Sequence, residues 1–243
     1  TLDSLFWADY TDLWHNSKSR SPFQAPGILQ FFSQKYKNNV VAIRLLREQS
    51  TVGAVLLKKE KNVYSFLSDL KTDANFFVFR NDCSDVDIDY FFGGLLDFIK
   101  QQHSAVIFNN VASWAGYFPV FEKCAAKSNL FFQAIDYSVC PVLKCETPEE
   151  IRAIINRSRT LRNSVNKIRH NQKAVFEVLT GDEDLEHWVK EFCFSHIQRW
   201  EKTSTPSSYR NMDRQVFLLK CLQAWSADKV LVRFAIKVNQ QRI

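Results

Sequence analysis

Apolar residues recur at two different periods along this chain, and the change from one period to the other predicts where helices and strands lie. Spacings of three, four and seven residues predict helices, whereas strict alternation or short apolar runs bounded by turn residues predict strands. The predicted helices are an opening helix that ends before residue 17, then 28–36, 86–102, one between 114 and 127, 151–173, 183–200 and 213–225. The predicted strands are 40–46, 51–57, 63–67, 76–79, 105–108, 130–135, 137–143, 175–179 and 230–238.

The order of these elements predicts the fold class. Two helices come first, a meander of strands follows, and helices then alternate with strands. This order is typical of an α/β layer with a mixed sheet. The many Phe residues stand in short strand-like runs, so we expect them to form the core.

The last predicted strand has the clearest alternation in the chain. Its two sets of alternating residues are Val230, Val232, Phe234, Ile236 and Val238, and Leu231, Arg233, Ala235 and Lys237. The first set gives the strand one wholly apolar face. We expect residues 239–242 to form a hairpin turn, with the return strand beginning at residue 243. Because folded proteins avoid exposed apolar edges, we also expect the sequence to be a piece of a longer protein.

The segment 151–173 carries the net charge of the chain. It contains seven Lys or Arg residues and no Asp or Glu, whereas the whole chain has a net charge of +6. Its apolar residues fall on one stripe of a helix: Ile151, Ile154, Leu161, Val165 and Ile168. Thr147, Pro148 and two glutamates before this segment are typical of a helix start.

Two interpretations of this basic helix stay open. It can be a solvated helix whose Arg and Lys stems cover an apolar surface. It can also be an anion site for phosphates, nucleotides or nucleic acid, because cations without neighbouring acids attract phosphate. Arg159, Arg162, Lys167 and Arg169 are the candidate phosphate-binding residues.

Composition limits the class and the compartment. A length of 243 residues with 46% hydrophobic and 24% charged residues suits a soluble globular protein of one or two domains. The six cysteines form no CxxC pair and no Cys/His cluster, and no apolar run is long enough to span a bilayer. We therefore expect a cytoplasmic protein with reduced thiols and no bound metal.

Five stretches carry a resemblance to a known family. They are SPFQAPGIL (21–29), Val-Gly-Ala in a hairpin (52–54), NRSRTLRNSVNKIRHNQK (156–173), FEVLTGDEDLEHWVKEFCFSHIQRW (176–200) and the polar loop that enters a helix (209–217). Together they resemble the CelD/BcsL-like acyltransferases, which are relatives of the Fem-type peptidyltransferases within the GNAT superfamily.

The resemblance implies tandem GNAT-like domains. Residues 1–145 would form a first domain without a cofactor loop, and residues 146–243 would form a basic linker helix and the first half of a catalytic domain. A GNAT pyrophosphate loop needs closely spaced glycines at a helix start. Residues 80–84 contain no glycine, and Gly93 and Gly94 lie in the middle of a helix, which agrees with a first domain of this kind.

The implied activity is transfer of an acyl group from a thioester such as acetyl-CoA to an amine or sugar acceptor, in cell-envelope or polysaccharide metabolism. The acyl-CoA would be a co-substrate, with no tightly bound cofactor. We expect no cofactor-binding residue in this sequence, and we expect the piece alone to bind acetyl-CoA poorly and to be inactive.

The candidate substrate-binding corner consists of Arg199, Trp200 and Tyr209, at a helix end and in the loop after it. His196, one turn earlier, is a weak candidate base, although a histidine on an apolar face is more often packed than catalytic. Trp200 can equally be a core residue. No nucleophile-elbow motif surrounds Ser195, and the alternating Asp85, Asp87 and Asp89 suit helix capping better than metal binding.

Two other function classes stay open. One is a nucleic-acid-binding module that uses the helix 151–173, or a Fem-type transferase that takes aminoacyl-tRNA as its donor and so binds tRNA there. The other is a scaffold without catalytic activity whose basic helix docks an acidic partner. The acceptor and the oligomeric state are not fixed by the sequence.

Overall fold

The chain forms two compact units. A computed structural model describes residues 2–18, 20–69, 72–113, 115–136, 145–170 and 174–242. The first unit consists of Thr1–Ile135 and Ala224–Val230, and the second of Asp136–Gln223 and Leu231–Ile243. Within the described residues the fold is α/β with eight α-helices and a mixed sheet, which confirms the predicted class.

The first unit contains four helices and a five-stranded sheet among its described residues. In chain order they are α1 (Ser4–His15), α2 (Pro26–Tyr36), β1 (Val40–Arg47), β2 (Ser50–Glu60), β3 (Val63–Phe66), β4 (Val78–Phe79), α3 (Asp85–Gln101), β5 (Ala105–Ile107) and α4 (Phe118–Lys127). The strand order is β1-β2-β3-β5, and β4 pairs with β2. Only β5 runs parallel to its neighbour, β3, so the sheet is an antiparallel meander with one parallel strand after a helical crossover.

Phenylalanine rings form the core of this unit, as the sequence predicts. Phe77 lies at its centre, with ring centroids of Phe92, Phe108 and Tyr117 within 4.9–5.5 Å. The hydroxyl of Tyr117 accepts the backbone N–H of Phe77 at 3.2 Å, which satisfies a buried donor between two elements. Burial also raises the pKa of Tyr117.

Two predicted strands of the first half differ from the structure. Residues 130–135 have irregular backbone, with Phe131 and Ile135 exposed, so the predicted strand is wrong. Apolar composition favours an extended backbone, but a strand also needs a partner edge. The predicted strand 76–79 is shortened to β4, and the predicted strand 137–143 lies outside the described residues.

The second unit contains the basic segment and a three-stranded antiparallel sheet, in the order β6-β7-β8. Its elements are α5 (Pro148–Arg157), α6 (Arg159–His170), β6 (Ala174–Leu179), α7 (Leu185–Trp200), α8 (Met212–Ala227), β7 (Arg233–Val238) and β8 (Gln241–Arg242). The last four residues of α8 belong to the first unit. The return strand starts earlier than predicted, because the turn consists of Asn239 and Gln240 alone, both at positive φ.

The two faces of this sheet differ in an unexpected way. Phe176 and Val178 pair with Ile236 and Phe234, which confirms that one face is apolar. On that face Phe176, Val178 and Phe234 are 57–70% exposed. The opposite face carries Glu177 and Arg233 and lies against α7, and Arg233 is only 2% exposed. The alternation therefore showed which residues share a face, but not which face is covered.

The basic segment forms two helices, so the prediction of one continuous helix is wrong. Ser158 separates α5 from α6 and has extended backbone, with φ −88° and ψ 111°. Its hydroxyl accepts the backbone N–H of Leu161 at 3.3 Å and so caps the start of α6. Serine favours such caps because its side chain competes for backbone donors. Residues 171–173 lie outside the described chain.

Candidate functional site

Four aromatic rings form a column along one side of α7. Trp188, Phe192, His196 and Trp200 follow one another at intervals of four residues, which places them one turn apart on one face. Trp188 and Phe192 are stacked at 5.4 Å between ring centroids, and His196 and Trp200 are stacked at 5.9 Å. All four side chains are half-buried, so part of the column faces solvent.

Tyr209 lies against the middle of this aromatic column. A loop after α7 leads into a short 3-10 helix, Ser208–Arg210, that carries the tyrosine. Its ring meets Phe192 at 5.6 Å and His196 edge-to-face at 5.1 Å. Burial, followed by the nearby thiols of Cys193 and Cys221, raises the pKa of Tyr209, so its hydroxyl stays protonated at neutral pH.

His196 is held in place by a buried serine. Its Nδ1 lies 2.9 Å from the hydroxyl oxygen of Ser207, a residue that is 6% exposed. The same oxygen accepts the backbone N–H of Tyr209 at 3.1 Å. Among the described residues, Nε2 of His196 has no hydrogen-bond partner, and it is the ring nitrogen left for a ligand. Sequence reasoning missed Ser207, although a serine between a proline and a helix start is a common capping signal.

The predicted corner residues do not all have the same surroundings. Trp200, Tyr209 and His196 belong to one cluster, as the distances above show. Arg199 is exposed, and its guanidinium carbon lies 6.0 Å from the centroid of the Trp200 ring. Arg199 is therefore placed at the edge of the column, where it can reach a ligand that lies on Trp200.

Arg233 is a second cation at the column, and sequence reasoning missed it. Its guanidinium carbon lies 5.8 Å from the ring centroid of Trp188. Its Nη2 donates to the carbonyl oxygens of Gly181 and Glu183, both at 2.8 Å. It thus fixes the loop before α7. Arg233 and Lys237 belong to the same alternating set of the last strand, and nothing local marks Arg233 as the buried one.

The candidate phosphate-binding cations belong to α6, whereas the column belongs to α7. Arg159, Arg162 and Lys167 are exposed on α6, and the side chain of Arg169 lies outside the described residues. Arg162 donates to the carbonyl oxygen of Asn156 at 3.1 Å. Among the described residues no ion pair joins Arg159, Arg162 or Lys167 to a carboxylate.

The sequence left helix capping and metal binding as alternatives for the aspartates at the start of α3. Ser84 and Asp87 form a reciprocal capping box at the start of α3, and hydrogen bonds from Ser84, followed by Arg47, lower the pKa of Asp87. This geometry confirms the capping role. The structure shows no group of three or more potential metal ligands within the part of the chain that it describes.

Comparisons with protein families, curated proteins and solved structures found no match to this chain. No helix among the described residues is both long enough and apolar enough to cross a membrane. The aromatic column with His196 and Ser207 is therefore the candidate site on geometric grounds alone.

Proposed function

We propose that this chain is part of a CelD/BcsL-like acyltransferase with tandem GNAT-like domains, which moves an acyl group from a thioester such as acetyl-CoA to an amine. The proposal places the reaction in the cytoplasm, in cell-envelope or polysaccharide metabolism. It assigns no residue of this sequence to binding of the CoA part of the donor.

The observation that carries the proposal is the arrangement of the first unit. Two helices precede an antiparallel meander, β1 to β3, and a helix then crosses to β5, which lies parallel to β3. This is the order of helices, meander, helix and strand that the sequence predicts for the region that the resemblance makes the first GNAT-like domain. The glycine-free stretch 80–84 before α3 supports the part of the proposal that gives this unit no phosphate-binding loop.

The aromatic column supports an acceptor site in the second unit. Half-exposed rings offer flat apolar faces, and Arg199 at their edge adds a cation with several donors. A sugar ring has the matching chemistry, with one face of C–H groups and hydroxyl oxygens around its rim. We therefore favour an amino sugar as the acceptor, because it combines such a ring with the nucleophilic amine.

The hydrogen bonds of Ser207 indicate that His196 acts as a hydrogen-bond donor at this site. Ser207 already accepts the N–H of Tyr209, and among the described residues its own proton has no acceptor other than Nδ1 of His196. Neutral His196 then carries its proton on Nε2 and presents a donor rather than a base. In this form it can hydrogen-bond an acceptor hydroxyl or the thioester carbonyl, where negative charge develops.

The proposed reaction needs no net change at His196. The amine nitrogen forms a bond to the thioester carbonyl carbon, the carbon–sulfur bond breaks, and the proton lost by the amine ends on the departing thiol. The donor on Nε2 stabilises the oxyanion during this exchange and keeps its proton.

Ligand-dependent melting of the chain tests the proposal. Glucosamine oligomers should raise the melting temperature at millimolar concentration, because a ligand that binds only the folded state stabilises it. Trp200→Ala should abolish this shift, and Phe131→Ala, which removes an exposed aromatic ring of the first unit, serves as the control. Acetyl-CoA and tRNA are compared in the same assay. Acetyl-CoA should give no shift, because no residue of this sequence is assigned to its CoA part. A shift with tRNA and none with glucosamine oligomers would contradict the amino-sugar acceptor and favour an aminoacyl-tRNA donor.

A further inference from the structure

The two basic helices α5 and α6 make no hydrogen bond or ion pair to another element among the described residues. Every hydrogen bond and ion pair described for residues 146–170 stays within that segment, as in the pair of Arg152 with Glu149 at 3.3 Å. No side chain of α5 is buried, and none of the described side chains of α6 is buried. The apolar side of these helices is half-buried at Ile154, Val165 and Ile168, whereas Arg159, Arg162 and Lys167 are exposed.

One stripe of α6 is aliphatic. Leu161, Val165 and Ile168 are spaced by four and three residues, which places them on one face of the helix. Leu161 is 47% exposed, and Ile151 on α5 is 43% exposed. Isolated exposed aliphatic residues are ordinary. The stripe of α6 is a different case, because Leu161 is exposed beside Val165 and Ile168, which are only half-buried.

Cations occupy the remaining faces of α6. Arg159 and Lys167 lie on the side opposite Leu161, and Arg162 lies beside the stripe. The helix contains no Asp or Glu. An aliphatic stripe flanked by Arg and Lys is the pattern of a helix that lies in the interface of a membrane, with its apolar face among the lipid chains.

The same features favour a bilayer over a nucleic acid. Phosphate binding needs the cations but gains nothing from an exposed stripe of Leu, Val and Ile. Recognition of unpaired bases uses aromatic side chains for stacking. The segment 148–170 contains no Phe, Tyr or Trp.

We propose that α5 and α6 form a docking surface for an anionic lipid bilayer. The cations meet the lipid phosphates, while Leu161 and Ile168 enter the boundary between headgroups and acyl chains. This surface works whether or not the chain transfers acyl groups.

Vesicle co-sedimentation of the whole chain tests the proposal. Vesicles of phosphatidylglycerol and phosphatidylcholine in equal parts should bind the chain, and vesicles of phosphatidylcholine alone should not. The combined change Arg159→Gln, Arg162→Gln and Lys167→Gln should weaken binding on the order of a hundredfold, at about fivefold for each cation. The control is Lys100→Gln with Lys123→Gln and Lys127→Gln, which removes three exposed charges from helices of the first unit and should leave binding unchanged.

The aliphatic stripe is tested separately. Leu161→Ser with Ile168→Ser leaves the charge untouched and should weaken vesicle binding by about tenfold or more, because less apolar surface leaves water. Hydrogen exchange of the unaltered chain gives a second measurement that requires no variant. Backbone amides of residues 159–170 should exchange more slowly when anionic vesicles are present.

Three results would overturn the proposal. One is equal binding to anionic and neutral vesicles. Another is full binding by the serine variant together with unchanged exchange at residues 159–170, which would mean that no helix enters the interface. The third is tighter binding to tRNA than to anionic vesicles, with only the glutamine variant impaired, which would assign the surface to nucleic acid.

Discussion

The backbone N–H of Gly27 donates a 2.7 Å hydrogen bond to the carboxylate of Asp228, which is 201 residues later in the chain. Gly27 lies in the first turn of α2, where backbone donors have no partner within the helix. Trp225 adds a second attachment by donating its Nε1–H to the carbonyl oxygen of Pro22 at 2.8 Å. The segment Ala224–Val230 is thereby fastened to the start of α2 within the first unit.

Gly27→Ala should destabilise the first unit. A Cβ at this position would lie 2.9 Å from the backbone oxygen of Ala224 and 2.8 Å from the Asp228 carboxylate. The backbone oxygen cannot turn away, so the segment must shift and its hydrogen bond must lengthen. We expect a loss of about 1–3 kcal/mol in the free energy of unfolding, measured by urea denaturation. An unchanged stability would mean that Ala224–Val230 is not attached here.

Gly94→Ala provides the matched comparison and has the opposite sign. Gly94 lies inside α3, and nothing stands within 4 Å of the Cβ that alanine would add. Alanine costs less backbone entropy in a helix than glycine does, so the variant should be more stable by about 0.5–1 kcal/mol. The same urea titration measures both variants. A destabilised Gly94→Ala would show that this face of α3 packs against something.

Asp228→Asn should change how stability depends on pH. Burial raises the pKa of Asp228 above its ordinary 3.8, and the Gly27 N–H and then His15 oppose that shift. An acid whose folded pKa is raised binds its proton more tightly in the folded state, so its contribution to stability falls as pH rises above 3.8. Asparagine keeps an oxygen for Gly27 but has no charge. The variant should match the parent at low pH and be at least as stable at pH 7.

The helix dipole of α2 acts on Asp228 in the opposite direction from burial. A carboxylate at a helix start is favourable by itself, because it faces the positive end of the helix dipole. If this effect outweighs burial, Asp228→Asn will be less stable than the parent at pH 7, and the deficit will grow with pH. Thermal melts of both proteins between pH 3 and pH 7 distinguish the two results.

Local patterns predicted the elements of this fold, and tertiary contacts decided where the prediction failed. The capping box at Ser84 and the apolar stripe of α3 each depend on residues close together in the sequence, so both were predictable. Arg233 is different, because its burial depends on Trp188 and on carbonyl oxygens 50 and 52 residues away. No local alternation contains that information.

The candidate site divides in the same way. The loop after α7 marked Trp200 and Tyr209 as a corner, and the structure brings them to His196. The contact between Ser207 and Nδ1 of His196 was not predictable locally, because it depends on the loop folding back over 11 residues. The break at Ser158 was predictable from a local capping signal but was missed. The charge pattern on both sides of Ser158 suggested one continuous helix.

Glu177→Gln should weaken the second unit at neutral pH. Hydrogen bonds from Arg242, and then from Lys237, lower the pKa of Glu177 from 4.5 to about 2. An acid with a lowered folded pKa contributes stability above its unfolded value and loses it as pH falls from 4.5 toward 2. We expect the variant to lose about 1–3 kcal/mol at pH 7, as measured by urea denaturation, and to approach the parent near pH 2.

Glu149→Gln is the control for that charge effect. Glu149 pairs with Arg152 at 3.3 Å, but both side chains are more than 70% exposed. Exposed pairs of this kind contribute little, so the change should stay within about 0.5 kcal/mol at every pH. An equally small loss in both variants would show that the bonds of Glu177 to Arg242 and Lys237 do not stabilise the fold.

Ser207→Ala should release the tautomer of His196 without unfolding the chain. In the hydrogen-bond arrangement proposed above, Ser207 donates its proton to Nδ1, so neutral His196 should carry its hydrogen on Nε2. Nitrogen-15 NMR distinguishes the two tautomers, because protonated and unprotonated ring nitrogens differ widely in chemical shift. We expect one Nε2–H form in the parent and a mixture in the alanine variant. Ser208→Ala, which changes the next and exposed hydroxyl, should keep the parent pattern. A parent spectrum with the hydrogen on Nδ1 would make His196 a base instead, and its proposed role as a donor to the oxyanion would be wrong.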